Sequence, residues 1–206
     1  MRCNKECFQE DTYFHIYNHS LDNLDLFRLN DDYILCQIKV LQKLKLYPAS
    51  IFAYCLMPNH FHFFIRQDSD KPIYRIFNDV FAGYVQIYNK KYNRKGRLFR
   101  NPLQHKIIEN DFYALQLCQY IHYNPKKAGL VDDISDWEFS NYQEWVSERT
   151  QPLFSNEIMI NNDLSTKDYF ELMKEYDSKK IEENIQKYLF ESVHTQVEFN
   201  NNPTRV

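Results

Sequence analysis

Two histidines, His60 and His62, stand one bulky residue apart in the stretch 53–65. The density of aromatic and aliphatic residues on both sides of Pro58-Asn59 reads as strand, tight turn, strand. Successive strand side chains point to opposite faces, so His60 and His62 share one face while Phe61 and Phe63 share the other. Two strand steps separate the imidazoles by roughly 7 Å along the chain, and rings at that spacing can converge on one metal ion. A third donor lies further on. Tyr120 and Asn124 are four residues apart in a helical pattern, hence on one face and one turn apart. If that face meets the histidine face, Tyr120 sits by the ion and Asn124 adds an amide oxygen. Two imidazoles, one amide and open positions suit Mg²⁺ or Mn²⁺ better than Zn²⁺. Each residue also has a plainer reading. The histidines can be structural, Tyr120 can be one core aromatic among 16 tyrosines, and Asn124 can be a helix cap before Pro125. Tyr113 and Tyr123 compete with Tyr120 as nucleophiles.

The elements that must position these residues follow from periodicity. Residues 13–18 read as a strand. A helix follows, with Tyr33, Ile34, Ile38, Leu41, Leu44 and Leu46 at helical spacing behind Asp31-Asp32, and Pro48 stops it. Strands are expected at 51–57 and 60–66. A long helix follows Pro72 with Ile73, Ile76, Phe77, Val80, Phe81, Tyr84, Val85 and Tyr88, then a strand at 103–108. Asn110-Asp111 caps another helix, which Pro125 is expected to close. The order βαββαβ predicts an α+β fold, a ferredoxin-like antiparallel sheet with strand order 4-1-3-2 and both helices on one face. The histidine strand is then interior. The helix from 111 is left the open face of the sheet or an edge. Residues 131–149 read as a wrapping segment with a short helix. Weaker helical patterns cover 166–177 and 179–192, ahead of a polar tail expected to be disordered. This division gives one domain over 1–149 and an acidic helical extension over 150–206.

Composition narrows the classes. The 206 residues are 44% hydrophobic and 17% aromatic, enough for a core, and only 3 glycines argue against Gly-rich nucleotide loops. No apolar run reaches the ~20 residues of a membrane span. The first residues lack a signal-peptide stretch, so no membrane association and a cytoplasmic location are expected. Five cysteines, an odd number, read as reduced thiols, with Cys3 and Cys7 as a weaker metal-binding alternative. The net charge of −3 conceals a division: residues 90–130 carry +7 and residues 131–206 carry −9. A polyanion would be held by the basic middle, where Arg97, Arg100, Lys106, Lys126 and Lys127 lie, although a solvated charged surface explains it equally. His19, His105 and His122 read as structural or surface residues. His15 neighbours the site if the first strand pairs with the histidine strand.

Met57-Pro58-Asn59-His60-Phe61-His62 followed by residues 120–131, Tyr-Ile-His-Tyr-Asn-Pro-Lys-Lys-Ala-Gly-Leu-Val, resembles the single-tyrosine HUH transposases, most closely the REP-associated tyrosine transposase branch and its insertion-sequence relatives. Residues 96–99 and 137–142 add to the likeness, which covers about 12–145. The acidic tail departs from it, as does the lysine pair at 126–127 where a single arginine is more usual. The resemblance implies that His60, His62 and Asn124 hold a divalent metal and that Tyr120 attacks single-stranded, hairpin-bearing DNA to form a 5′-phosphotyrosine. Arg97, Arg100, Lys106, Lys126 and Lys127 would contact the DNA. It allows either a monomer or a homodimer with the tyrosine acting in the partner's site. The alternatives are a domesticated hairpin-binding protein that does not cleave, and a relaxase-like or replication-initiator-like nickase.

Overall fold

The computed structural model describes residues 8–147, 163–176, 180–181 and 183–185. Cys3, Cys7, most of the 179–192 pattern and the polar tail lie outside them. Through residue 108 the elements are β1 (Tyr13–His19), α1 (Asn30–Leu44), β2 (Ala49–Met57), β3 (His60–Gln67), α2 (Tyr74–Lys91) and β4 (Gln104–Ile108). The sheet is antiparallel with order β2-β3-β1-β4, the 4-1-3-2 arrangement expected from the element order, and β3 is interior.

The two faces of the sheet build separate cores. Phe14 and Ile16 of β1, Tyr54 and Leu56 of β2, and Phe61, Phe63 and Ile65 of β3 pack against α1 and α2. Those helices contribute Tyr33, Cys36 and Val40, and Ile76, Phe77, Val80, Phe81, Tyr84 and Tyr88. Their spacing of three and four keeps one stripe on the sheet. The start of α1 is fixed by Asp32, whose Oδ2 accepts from the backbone N–H groups of Arg28 and Leu29 at 2.9 and 3.1 Å. On the other face, Ala53, Cys55, Met57 and Phe64 pack against Ala114, Leu117, Cys118 and Ile121 of α3 (Asp111–Lys127). Of the two places open to this helix, the sheet face is the one it takes.

Pro125 does not close α3, which continues to Lys127. Proline removes only its own N–H, and the next turn is carried by Ala128 N–H to Asn124 O at 3.0 Å. The stop is Gly129 at φ 68°. Gly129 N–H bonds Lys126 O and Leu130 N–H bonds Pro125 O, both at 3.0 Å, which is the paired C-terminal closure that a left-handed residue permits.

β2 is an edge strand, and the chain covers it. A bulge between Ile51 and Ala53 turns Phe52 into the α3-side core. Its carbonyl accepts from Asn141 Nδ2 at 2.8 Å and Trp145 Nε1 at 2.9 Å. Asn141 Oδ1 in turn accepts the Tyr54 N–H at 2.7 Å, and Leu56 N–H reaches Phe139 O at 2.9 Å. The segment before the short helix α4 (Tyr142–Val146) thus satisfies groups that would otherwise template association. α5 (Thr166–Lys174) begins at a reciprocal cap between Ser165 and Asp168 and buries Tyr169 and Met173 in the same core.

Cys36, Cys55 and Cys118 are free and buried, and burial raises all three thiols, that of Cys36 to about 12. Reactivity requires thiolate. Iodoacetamide should therefore leave these three unlabelled in the native protein and label them after denaturation, as peptide mapping by mass spectrometry would record. Among the described residues no helix is long and apolar enough to cross a membrane.

Candidate functional site

In the β1–β3 register His60 lies opposite His19 and His62 opposite Tyr17. Residues directly opposite in an antiparallel pair share a face. His15, Tyr17, His19, His60 and His62 therefore form one polar field, at the hairpin end of the face that α3 covers. The centroids of His60 and His62 are 5.2 Å apart with rings at 81°. The ring of Tyr120 meets His62 edge-on at 5.5 Å. One turn on, Asn124 reaches His60, and this contact opposes the larger effects of burial and the His19 charge, which together push the His60 pKa down to about 4. His62 is pushed well below its ordinary value, first by burial and then by His15, His60 and His19. Both rings are thus neutral near pH 7, the form that binds cations.

The hydrogen bonds orient these groups. His60 Nδ1 donates to Asn59 Oδ1 at 2.7 Å, which leaves Nε2 as its open nitrogen. The Asn124 amide nitrogen donates back to Tyr120 O at 2.7 Å, a bond that leaves its acceptor oxygen unused. His62 Nδ1 lies 2.9 Å from His15 Nε2. Two imidazole nitrogens and an amide oxygen fit a cation that keeps water or substrate in its other positions, as Mg²⁺ and Mn²⁺ do. Among the described residues no three His, Cys, Asp or Glu side chains are grouped to hold a metal, so a metal on His60 and His62 would call on a donor of another type, such as the amide.

The structure separates Tyr120 from one of its competitors, Tyr123. Tyr123 turns away from the histidines and packs on Tyr176 at 4.3 Å, whereas Tyr120 faces them. No family model matches the chain. A curated Haemophilus influenzae protein that carries the name REP-associated tyrosine transposase is 28% identical over 117 residues, covering 52% of this chain and 66% of that relative. This chain is similar in sequence to that transposase. The match spans just under two thirds of the relative's length. A solved structure of a REP-associated tyrosine transposase bound to a REP hairpin superposes with a TM-score of 0.55 at 19% identity, covering 77% of this chain and 93% of that one, and so shares the fold.

Of the basic residues, two flank the histidine field. Arg100 donates its backbone N–H to His19 O at 3.1 Å, and its charge adds to burial in lowering the His19 pKa. Lys106 pairs with His15 across β1–β4 and has its own pKa lowered by burial. Arg97 is exposed on the loop leading to Arg100, and Lys126 and Lys127 are exposed in the last turn of α3. His19, read from sequence as structural or surface, stacks on His60 at 4.8 Å and 25°. Its strand position alone could not show this, because the contact depends on the cross-strand register. His122 is structural: it is fully buried and bonded on both ring nitrogens.

Proposed function

We propose that the protein is a metal-dependent strand transferase that cuts and rejoins single-stranded DNA bearing a hairpin. Tyr120 is the nucleophile, and His60, His62 and Asn124 hold Mg²⁺ or Mn²⁺. The observation that carries this reading is the meeting of α3 with β3, which sets the Tyr120 ring on His62 and Asn124 on His60 within one chain. The relative's name supports transposase chemistry, and the hairpin bound by the structural neighbour supports that class of DNA partner.

The bound ion would offset charge on the non-bridging oxygens of the scissile phosphate. Tyr120 Oη forms a bond to phosphorus as the bond from phosphorus to the 3′ oxygen breaks. The phenol gives up a proton and the departing 3′ oxygen takes one up. The resulting 5′-phosphotyrosine retains the phosphodiester bond energy, so a 3′-hydroxyl can reverse the step without ATP. A phenol of ordinary pKa ~10 is a poor nucleophile at neutral pH, and an ion held by His60, His62 and Asn124 would supply the activation it needs. Arg100 and Lys106 neutralise backbone phosphates next to the site, and Arg97, Lys126 and Lys127 extend the contact. Tyr120 acts in its own chain's site.

Incubation with labelled single-stranded hairpin DNA and Mn²⁺ should yield a protein–DNA adduct that survives denaturation, and chelation should suppress it. Hairpin binding without an adduct, across a range of hairpins, would favour a protein that recognises the hairpin but does not cut.

A further inference from the structure

We infer that His15 is a positioning residue for His62: it accepts the His62 Nδ1 proton and so holds the ring in the one tautomer that can bind a cation. The inference deepens the metal reading above and rests on it for its functional meaning.

Geometry alone carries the first step. His15 is 3% exposed on β1, with its ring 5.1 Å from that of His62 and its Nε2 2.9 Å from His62 Nδ1. Two neutral imidazoles in such contact place a single proton on the line between these nitrogens. If His15 Nε2 carried it, His62 Nδ1 would accept, and the His62 proton would sit on Nε2, blocking that nitrogen. If His62 Nδ1 carries it, His62 Nε2 is a bare lone pair. His60 is in the corresponding state, with Nδ1–H donated to Asn59 and Nε2 open. A cation shared by His60, His62 and Asn124 therefore selects the arrangement in which His15 accepts.

This assignment also explains why a histidine stands there. Metal-binding histidines usually donate their second N–H to a carboxylate or carbonyl, which fixes tautomer and ring direction. Here the acceptor comes from the neighbouring strand and is an imidazole. It adds no negative charge to a face already crossed by Tyr17, stacked on His15 at 4.8 Å, and flanked by Lys106. The arrangement has a cost. His15 Nδ1 is buried without a hydrogen-bond partner, so the one ring N–H of neutral His15 is left unpaired. A buried polar atom kept unsatisfied beside a candidate site is what a residue retained for orientation would show.

The test needs two readouts. Long-range ¹H–¹⁵N correlation on the metal-free wild type, with His62 assigned through His62→Gln, should find His62 protonated at Nδ1 and bare at Nε2. Calorimetric titration with Mn²⁺ should show affinity reduced 10–100-fold in His15→Phe, which keeps the ring volume but cannot accept, and largely restored in His15→Gln, whose amide oxygen can. His62 protonated at Nε2 in the wild type would overturn the inference, as would a His15→Phe affinity within twofold of wild type. If the wild type binds no Mn²⁺, the metal reading itself fails. The tautomer, measured without metal and without any variant of His15, still decides the His15 assignment.

Discussion

Tyr120→Phe should abolish covalent capture of hairpin DNA, with a loss on the order of 10³-fold or more in adduct formation, while leaving hairpin affinity within a few-fold of wild type. The substitution removes one oxygen. The ring that packs edge-on against His62 stays, as does the helix that holds it, anchored on the sheet by Leu117, Cys118 and Ile121. On the proposed reading, binding rests on a different set, the charges of Arg97, Arg100, Lys106, Lys126 and Lys127, which the change does not touch. The separation of the two effects is therefore the diagnostic result. Tyr123→Phe supplies the control on the same helix, since that ring lies against Tyr176 and away from the histidines. It should retain the adduct. Adduct formation undiminished in Tyr120→Phe, or lost in Tyr123→Phe, would remove Tyr120 from the nucleophile's role. Denaturation-resistant gel shifts measure the adduct, and filter binding at fixed salt measures affinity.

What the sequence made legible was set by local periods. A period of two placed His60 and His62 on one face, and a period of 3.6 placed Tyr120 and Asn124 on another. The βαββαβ order then fixed which strand was interior. The features that escaped are the ones that depend on pairing between distant segments. The His19–His60 stack and the His15–His62 bond exist because β1 and β3 pair in one particular register. The bulge at Phe52 has no signature of its own, and it makes sense only with Asn141 and Trp145 some 90 residues later. At the end of α3 the sequence points to Pro125 as the stop, although proline costs one donor and only Gly129 supplies the backbone conformation that ends the helix.

Tyr169→Ala should lower unfolding free energy by about 3–5 kcal/mol, the usual cost of emptying a buried aromatic site. Tyr169 is fully buried on α5, with its ring 4.3 Å from that of Trp145, and its hydroxyl donates to His122 Nδ1 at 2.8 Å. The proton arrangement is forced. Asn141 Oδ1 can only accept, so His122 carries its proton on Nε2, 3.1 Å away, and presents Nδ1 as the acceptor. One chain of bonds thus runs from α5 through His122 on α3 to Asn141 and the Phe52 bulge of β2. Tyr169→Phe keeps the ring and strands only that acceptor, so about 1–3 kcal/mol is expected. Acidity gives an independent check. Burial pushes the His122 pKa down to about 4, so between there and the ordinary 6.5 the unfolded chain binds more protons than the folded one. Stability accordingly falls as pH drops through that window. In Tyr169→Ala His122 gains solvent, its pKa returns toward 6.5, and its share of the pH slope shrinks. Urea unfolding at pH 7 and pH 5 measures both quantities. Because α3 keeps its own packing on the sheet, adduct formation per folded molecule should persist well below the unfolding midpoint. A midpoint unmoved by Tyr169→Ala would mean that α5 does not clamp α3 in solution.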